Sequence, residues 1–464
     1  MTSDDAGKLF GDLPEHPAPK QLIRTKPRLR TAERRQVELR AVCLDDLVPA
    51  DHRVRMVWSF VEGLDVSALH ATIKAVEGAP GHPPADPGIL TALWLYATVE
   101  GIGSAGELAR LCEEHLAYQW LCGGVGMNAK TLADFRVGHG EVLEQLLVDS
   151  FTALVRAGVA SLDRIAQDGM RVRAAAGAAS FRRHSTLQEC RRQAEAVVSG
   201  LRAELERDPG AVSRRQAAAR QRAAEDRERR VREALTVTEE LQTQQAAKAR
   251  KAAQRAAKDT QKDQAAPAKA KPDEERPKEP RASTTDAQAR VMKMADGGFR
   301  PAYNVQFACD TKSGAIALVS VDNIGSDMGK MAPMSQSLAA EYGQWPRQHL
   351  ADGGFAKLAD ITALAQVGVE PFVPVPTPRH AERDRYAPRP EDPPEVAAWR
   401  ERMKTDEAKA IYTERASTVE CANAHARNHG LTRFIVRGLD AVKAVALWHA
   451  LAQNMFCTWR LVPA

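Results

Sequence analysis

Aromatic side chains are scarce in this chain, at 5% of 464 residues, and much of its 44% apolar content is alanine. That balance argues against a densely aromatic core and favours helices, some of them thinly packed. Seven cysteines (Cys43, Cys112, Cys122, Cys190, Cys309, Cys421 and Cys457) are odd in number and include no C-x-x-C pair, which excludes a disulfide framework or a thiolate zinc cluster. Long hydrophobic runs are missing too. The most apolar stretch, GILTALWLYATVEGIG, falls short of a membrane span and contains Glu100, and MTSDDAGKLFGDLPEHPAPK lacks the basic-then-apolar pattern of a leader. A reducing, cytosolic setting is expected. Nor is there a large excess of one charge: the net +5 is mild, so the placement of Lys and Arg matters more than their total.

What is present changes character along the chain. Residues 1–40 end in a basic arm, RTKPRLRTAERRQVELR, which reads equally well as a solvated tail or as a contact for phosphates. From 41 to 160, apolar residues recur every three or four positions between turn signals. This spacing predicts an all-helical N-terminal domain with Trp58, Trp94, Tyr96, Tyr118 and Trp120 as core anchors. Residues 185–290 form a charged helical insertion. STLQECRRQAEAVVSGLRAELER and AEDRERRVREALTVTEELQ carry narrow apolar stripes that can pair as a hairpin about DPG, ahead of a Lys/Pro-rich linker expected to be disordered. Its charge reads as a solvated surface in preference to a nucleic-acid contact. Beyond it, strands and helices alternate: the hairpin RPAYNVQFACDTKSGAIALVSVDN, a helix in DMGKMAPMSQSLAAEYG, strand RQHLAD, helix KLADITALAQVG, and strand VEPFVPVP. A long helix then runs to Gly430, followed by a strand at LTRFIVRGLD and a closing helix. With an isolated strand at 164–174, the pattern predicts an α/β fold whose mixed sheet is flanked by helices and interrupted by the insertion.

Three acids stand out. On a strand, Asp168 shares its face with Ala166, Met170, Val172 and Ala174, where an ionised group is costly unless paired, hydrogen-bonded or bound to metal. Asp352 ends the short strand in LADGGF, and Gly353 and Gly354 leave room for a ligand or a tight turn; by itself it reads as an N-cap. Glu420 lies on the long helix among small residues, and on spacing alone a surface ion pair is the simpler reading. Asp163 faces the other side of its strand, and Asp327 reads as a helix-start residue. Tyr303 and Asn304 line a site or pack the strand. His425 and His429, four apart, have no third zinc ligand.

Taken in order, DGMRVRAAAGAASFRR, ADGGF and the helix bearing Tyr412, Arg415, Glu420 and Arg427 resemble the Asp-Asp-Glu (DDE) triad and the tyrosine-arginine-glutamate-lysine signature of insertion-sequence transposases. Those enzymes have a ribonuclease H-like catalytic domain. The signature usually places three residues between Arg and Glu, whereas four separate Arg415 from Glu420 here, and Arg427 stands where lysine is usual. The similarity spreads over most of 41–460, the insertion excepted. It implies a helical DNA-binding domain at 41–160 and a ribonuclease H-like domain formed by 161–184 with 291–464. By the same resemblance, Asp168, Asp352 and Glu420 are the catalytic residues and hold two Mg2+ (or Mn2+) ions. Tyr412, Arg415 and Arg427 contact DNA phosphates. The implied reaction is metal-dependent cleavage at the element's terminal inverted repeats, followed by strand transfer into target DNA by a homodimer. The setting would be the bacterial cytoplasm, in association with the nucleoid. Two other readings stay open: a catalytically silent DNA-binding protein, and a scaffold built on the helical insertion.

Overall fold

The structure, a computed structural model, describes residues 35, 37, 41, 43–75, 83–207, 214–262, 279–378 and 384–461. The basic arm within 1–40 and the linker at 263–278 therefore lie almost wholly outside the described residues, as does the DPG turn.

Among the described residues, seven α-helices precede the first strand: α1 (Arg53–Glu62), α2 (Ser67–His70), α3 (Pro87–Val99), α4 (Ala105–Glu114), α5 (Leu116–Cys122), α6 (Ala129–Gly138) and α7 (Gly140–Arg156). Side-chain caps mark their starts. Asp86 accepts from Gly88 N ahead of α3, Ser104 from Glu107 N ahead of α4, and Asn128 from Thr131 N ahead of α6. Trp94, Tyr96 and Tyr118 are buried as expected, whereas Trp58 and Trp120 are only partly buried, edge to face with each other. In α3 every residue from Leu90 to Val99 is buried, because helices cover it on all sides.

The sheet runs β4 (Arg290–Lys293), β5 (Phe299–Asp310), β1 (Arg164–Arg173), β7 (Gln348–Leu350), β8 (Glu370–Phe372), and β6 (Ile316–Asp322) pairs with β5 along the edge that β4 also uses. β1 is antiparallel to β5, with Asp168 opposite Phe307, and parallel to β7, which is in turn parallel to β8. The sheet is mixed, as its hairpin and crossovers predict. Around it lie α10 (Met331–Tyr342), α11 (Leu358–Gln366), α12 (Pro394–Lys404), α13 (Asp406–Arg415), α14 (Cys421–Asn428) and α15 (Leu439–Leu461).

α15 joins the two halves. Trp448 Nε1 donates to Arg136 O at the end of α6, and Asn454 bridges Ser150 Oγ on α7 to the backbone of Ile316 on β6. One core cluster runs from Val54 through Trp94 to Tyr303 and Met455. The strand expected in LTRFIVRGLD does not form. The segment makes a single bridge, Arg433 to Arg173 where β1 ends, and then turns to bury Phe434 against Tyr303.

The insertion leaves and re-enters through a small clasp. β2 (Phe181–Arg183) pairs antiparallel with β3 (Arg281–Ser283), placing Arg183 opposite Arg281. α8 (His184–Arg207) follows β2 directly, and α9 (Arg214–Lys262) packs along it, with Leu187, Ala234 and Leu235 meeting Ala282 and Ala287.

Candidate active site

Asp168 occupies the row that alternation assigns it: Ala166, Met170, Val172 and Ala174 are all buried, while the aspartate side chain remains 19% exposed. Two groups from the helical segment over this face meet it. Asn423 Nδ2 donates to Asp168 Oδ2 at 2.9 Å, and Arg415 Nη1 lies 3.9 Å from Oδ1. Burial still dominates, lifting the carboxyl from 3.8 to about 6; the negative charge of Asp352 adds to the rise, against Arg415, the Gly169 N–H and Asn423.

Asp352 follows β7, parallel neighbour to β1; with Ala166 opposite Leu350, Asp168 in the middle of β1 and Asp352 just past β7 each lie two residues beyond that pair. Its Oδ1 accepts from Gly354 N at 2.8 Å, capping the short turn Gly353–Phe355. The cap and the electrostatic role coexist. A Cβ at position 354 would stand 2.9 Å from that same oxygen, so glycine keeps the carboxylate in place.

Glu420 reaches the site through a local irregularity. Between α13 and α14 the chain makes a π-helical turn, Ala416–Glu420. In an unbroken α-helix one added residue would rotate everything after it by about 100°. The wider turn absorbs that residue, and Arg415 Nη2 donates to Glu420 Oε1 although the two are five apart. The four-residue spacing noticed in the sequence thus has a structural counterpart. Tyr412 lies under the guanidinium, 5.7 Å from ring centroid to Arg415 Cζ. Burial works against the Arg415 charge, yet Tyr412, Asp168 and Glu420 hold it above the ordinary arginine value. One helical residue away, Glu414 pairs with Arg164 at the start of β1.

The structure therefore gathers Asp168, Asp352, Tyr412, Arg415 and Glu420, with Arg415 reaching both Asp168 and Glu420. Arg427 stands apart, exposed and one turn beyond Asn423 on α14. All three acids offer hard oxygen donors, which suit Mg2+ or Mn2+. Burial, with the charge of Asp352, keeps Asp168 raised despite Arg415, and the buried Oδ1 of Asn423 beside it has no hydrogen-bond partner. The two aspartates fit such an ion. Glu420, however, is 48% exposed and engaged by Arg415, and among the described residues no three acids, histidines or cysteines stand within joint metal-binding reach.

Other residues singled out in the sequence have defined surroundings. Tyr303 is fully buried and donates to Asp286 Oδ1 at 2.7 Å, which makes it a packing residue. Asp327 caps no helix with its side chain. It is a nearly buried hub that accepts from Asn304, Gln306 and Arg171 on the face of the sheet opposite Asp168. That hub explains Gly169, where a Cβ would collide with Gln306 and Asp327. His425 contacts Gln453, and His429 stacks on Phe456 and contacts Val99 O. Asn423 is the site residue that sequence reasoning missed. Its only signal is a position three after Glu420, the same helical face.

Comparison with known families gives two matches. A family model described as Transposase domain (DUF772) matches residues 42–137, and one described as Transposase DDE domain matches residues 268–455. The second contains Asp352 and Glu420 but begins within the last part of the insertion, downstream of Asp168. No curated protein and no solved structure matches the chain.

Proposed function

Since this chain belongs to the insertion-sequence transposases of the DDE class, with an α/β, ribonuclease H-like catalytic fold, we propose that it cuts the phosphodiester backbone at the ends of a mobile element and joins the freed 3′ hydroxyl to target DNA. Asp168, Asp352 and Glu420 are the carboxylates of both steps. Asp168, Asp352 and Glu420 would hold divalent ions, which would supply Lewis acidity for activating water and for stabilising the departing oxygen. The chain's own contribution is to fix where that happens. Asn423 sets the orientation of the Asp168 carboxylate, and Gly354 N sets that of Asp352. Arg415 balances the acids and holds Glu420; as Glu420 turns inward, the guanidinium is freed to pair with a phosphate oxygen. Tyr412 fixes the plane of that guanidinium, and Arg427 contacts the backbone further out. The helices within 41–160 recognise the terminal inverted repeats, and synapsis of two ends calls for a homodimer.

The observation that carries this reading is the Arg415 guanidinium, which reaches both Asp168 and Glu420, with the charge of Asp352 felt at Asp168. Its test is nicking of DNA bearing the element's ends in the presence of Mg2+ or Mn2+. Asp168→Asn, Asp352→Asn and Glu420→Gln should each reduce cutting by at least about a hundredfold. Intact cutting in all three would refute the assignment. The ion pair that draws Glu420 away from the aspartates favours a second reading, a DNA-binding protein without catalysis. It prevails if the unmodified chain binds those ends and never cuts them.

A further inference from the structure

Asp168 and Asp352 lie beyond the last backbone pairing of their strands. The parallel ladder of β1 and β7 joins Arg164–Ala166 to Gln348–Leu350 and goes no further. Past that point the ladder does not fix how far apart the two carboxylates stand. The opposite face of the sheet supplies a link. Alternation sends Gln167 of β1 and His349 of β7 to that face, and His349 Nε2 meets Gln167 Oε1 at 3.0 Å.

This bond is the middle of a longer chain. His349 Nδ1 lies 2.7 Å from Ser335 Oγ on α10, Gln167 Nε2 donates to Gln306 Oε1 on β5 at 3.0 Å, and Gln306 Nε2 donates to Asp327 Oδ1 at 2.7 Å. Ser335, His349, Gln167 and Gln306 are each 1% exposed or less. In such a core every polar group needs a partner, and the carboxylate decides the direction. Asp327, paired with Arg171, only accepts. Gln306 therefore turns its amide nitrogen to Asp327 and its oxygen to Gln167. Gln167 repeats the arrangement, which leaves its oxygen for the Nε2–H of His349. Burial pushes the imidazole down from 6.5 to about 3, so the ring is neutral and its Nδ1 accepts from the Ser335 hydroxyl. Every bond points one way, from α10 across β7 and β1 to β5. Apolar side chains would fill this space without the desolvation that polar groups carry, but they have no direction. Here a slip of either strand breaks a bond.

We propose that the Gln167–His349 bond, aligned by Ser335 on one side and Asp327 on the other, positions the acid pair: it carries the coupling of β1 to β7 past the end of their ladder and holds Asp168 and Asp352 at the separation at which they share a cation. The cation rests on the acids being the cutting site; the fixed separation does not.

The test reads that separation in the metal-free full chain at pH 7, through the charge of Asp352 felt at Asp168. Asp168→Asn should raise the melting temperature more when Asp352 is present than beside Asp352→Asn, and the difference between the two gains measures the repulsion across the gap. In His349→Leu that difference should fall by about half or more, whereas His349→Gln, which keeps an N–H for Gln167, should retain it. A merely structural role would lower all the melting temperatures together and leave the difference alone. Should His349→Leu fail to fold, Ser335→Ala removes only the hydroxyl that orients the ring and should move the difference the same way. In nicking assays His349→Leu should need about tenfold more Mg2+ for half-maximal cutting. An undiminished difference overturns the proposal, and so does an equal loss in His349→Gln or a Mg2+ requirement that does not move. If the unmodified chain never cuts, the catalytic reading fails by itself, and the melting temperatures still decide whether this bond positions the acids.

Discussion

Asp168 is a carboxylate kept where charge is expensive, and the expense can be measured. Its folded value of about 6 against 3.8 means that the folded chain binds this proton more tightly than the unfolded one. The group's contribution to stability therefore falls as pH rises from about 4 to 6, and above that range it costs the metal-free fold on the order of 3 kcal/mol. Asp168→Asn should raise the melting temperature of the metal-free protein at pH 7, with the gain shrinking towards pH 4, as scanning calorimetry of the two proteins side by side would read. A variant that melts lower at pH 7 contradicts this account. The aspartate itself was legible in the sequence, because period-two alternation set it among apolar neighbours and posed the question. Its answer was not, since the Asn423 amide comes from 255 positions away and nothing about an asparagine on a helix announces such a bond.

At the scale of the element, the turn Ala416–Glu420 is where local sequence and local structure meet most directly. The extra residue between Arg415 and Glu420 was visible as a count; how a helix accommodates it was not, because helical periodicity carries no mark for a single wide turn. Deleting the exposed Ser417 should let α13 and α14 run as one α-helix with Arg415 and Glu420 four apart and still facing. Cutting should then stay within about tenfold of the parent. Inserting an alanine at the same point should swing Glu420 by about 100° and abolish cutting. Equal loss in both nicking assays would show that the turn does more than restore register. The misread strand at LTRFIVRGLD teaches the complementary lesson. Its β-rich composition is real, but β1 ends at Arg173 and leaves only one bridge for it to make.

At the scale of the molecule, the hairpin of α8 and α9 hangs from the clasp of β2 and β3. Its stripes and the mixed sheet could be read from apolar spacing; the clasp could not, because three-residue strands carry no periodicity. Since Arg183 faces Arg281, a two-residue Asn-Gly turn can close the clasp in place of everything between them. The trimmed chain should fold, with a melting temperature within a few degrees of the parent, and should retain DNA cutting. Loss of cutting in a well-folded trimmed protein would instead give the hairpin a working role.

Residues 44–464 form one compact unit, and α15 is locked by Trp448 to α6 and by Asn454 to both α7 and β6. Among the described residues no loose joint separates the part that would read an element's end from the part that would cut it. Such a body acts as a ruler: the number of base pairs from the bound sequence to the broken bond is set by the thickness of packed protein between them, and it should not vary from one end to the next.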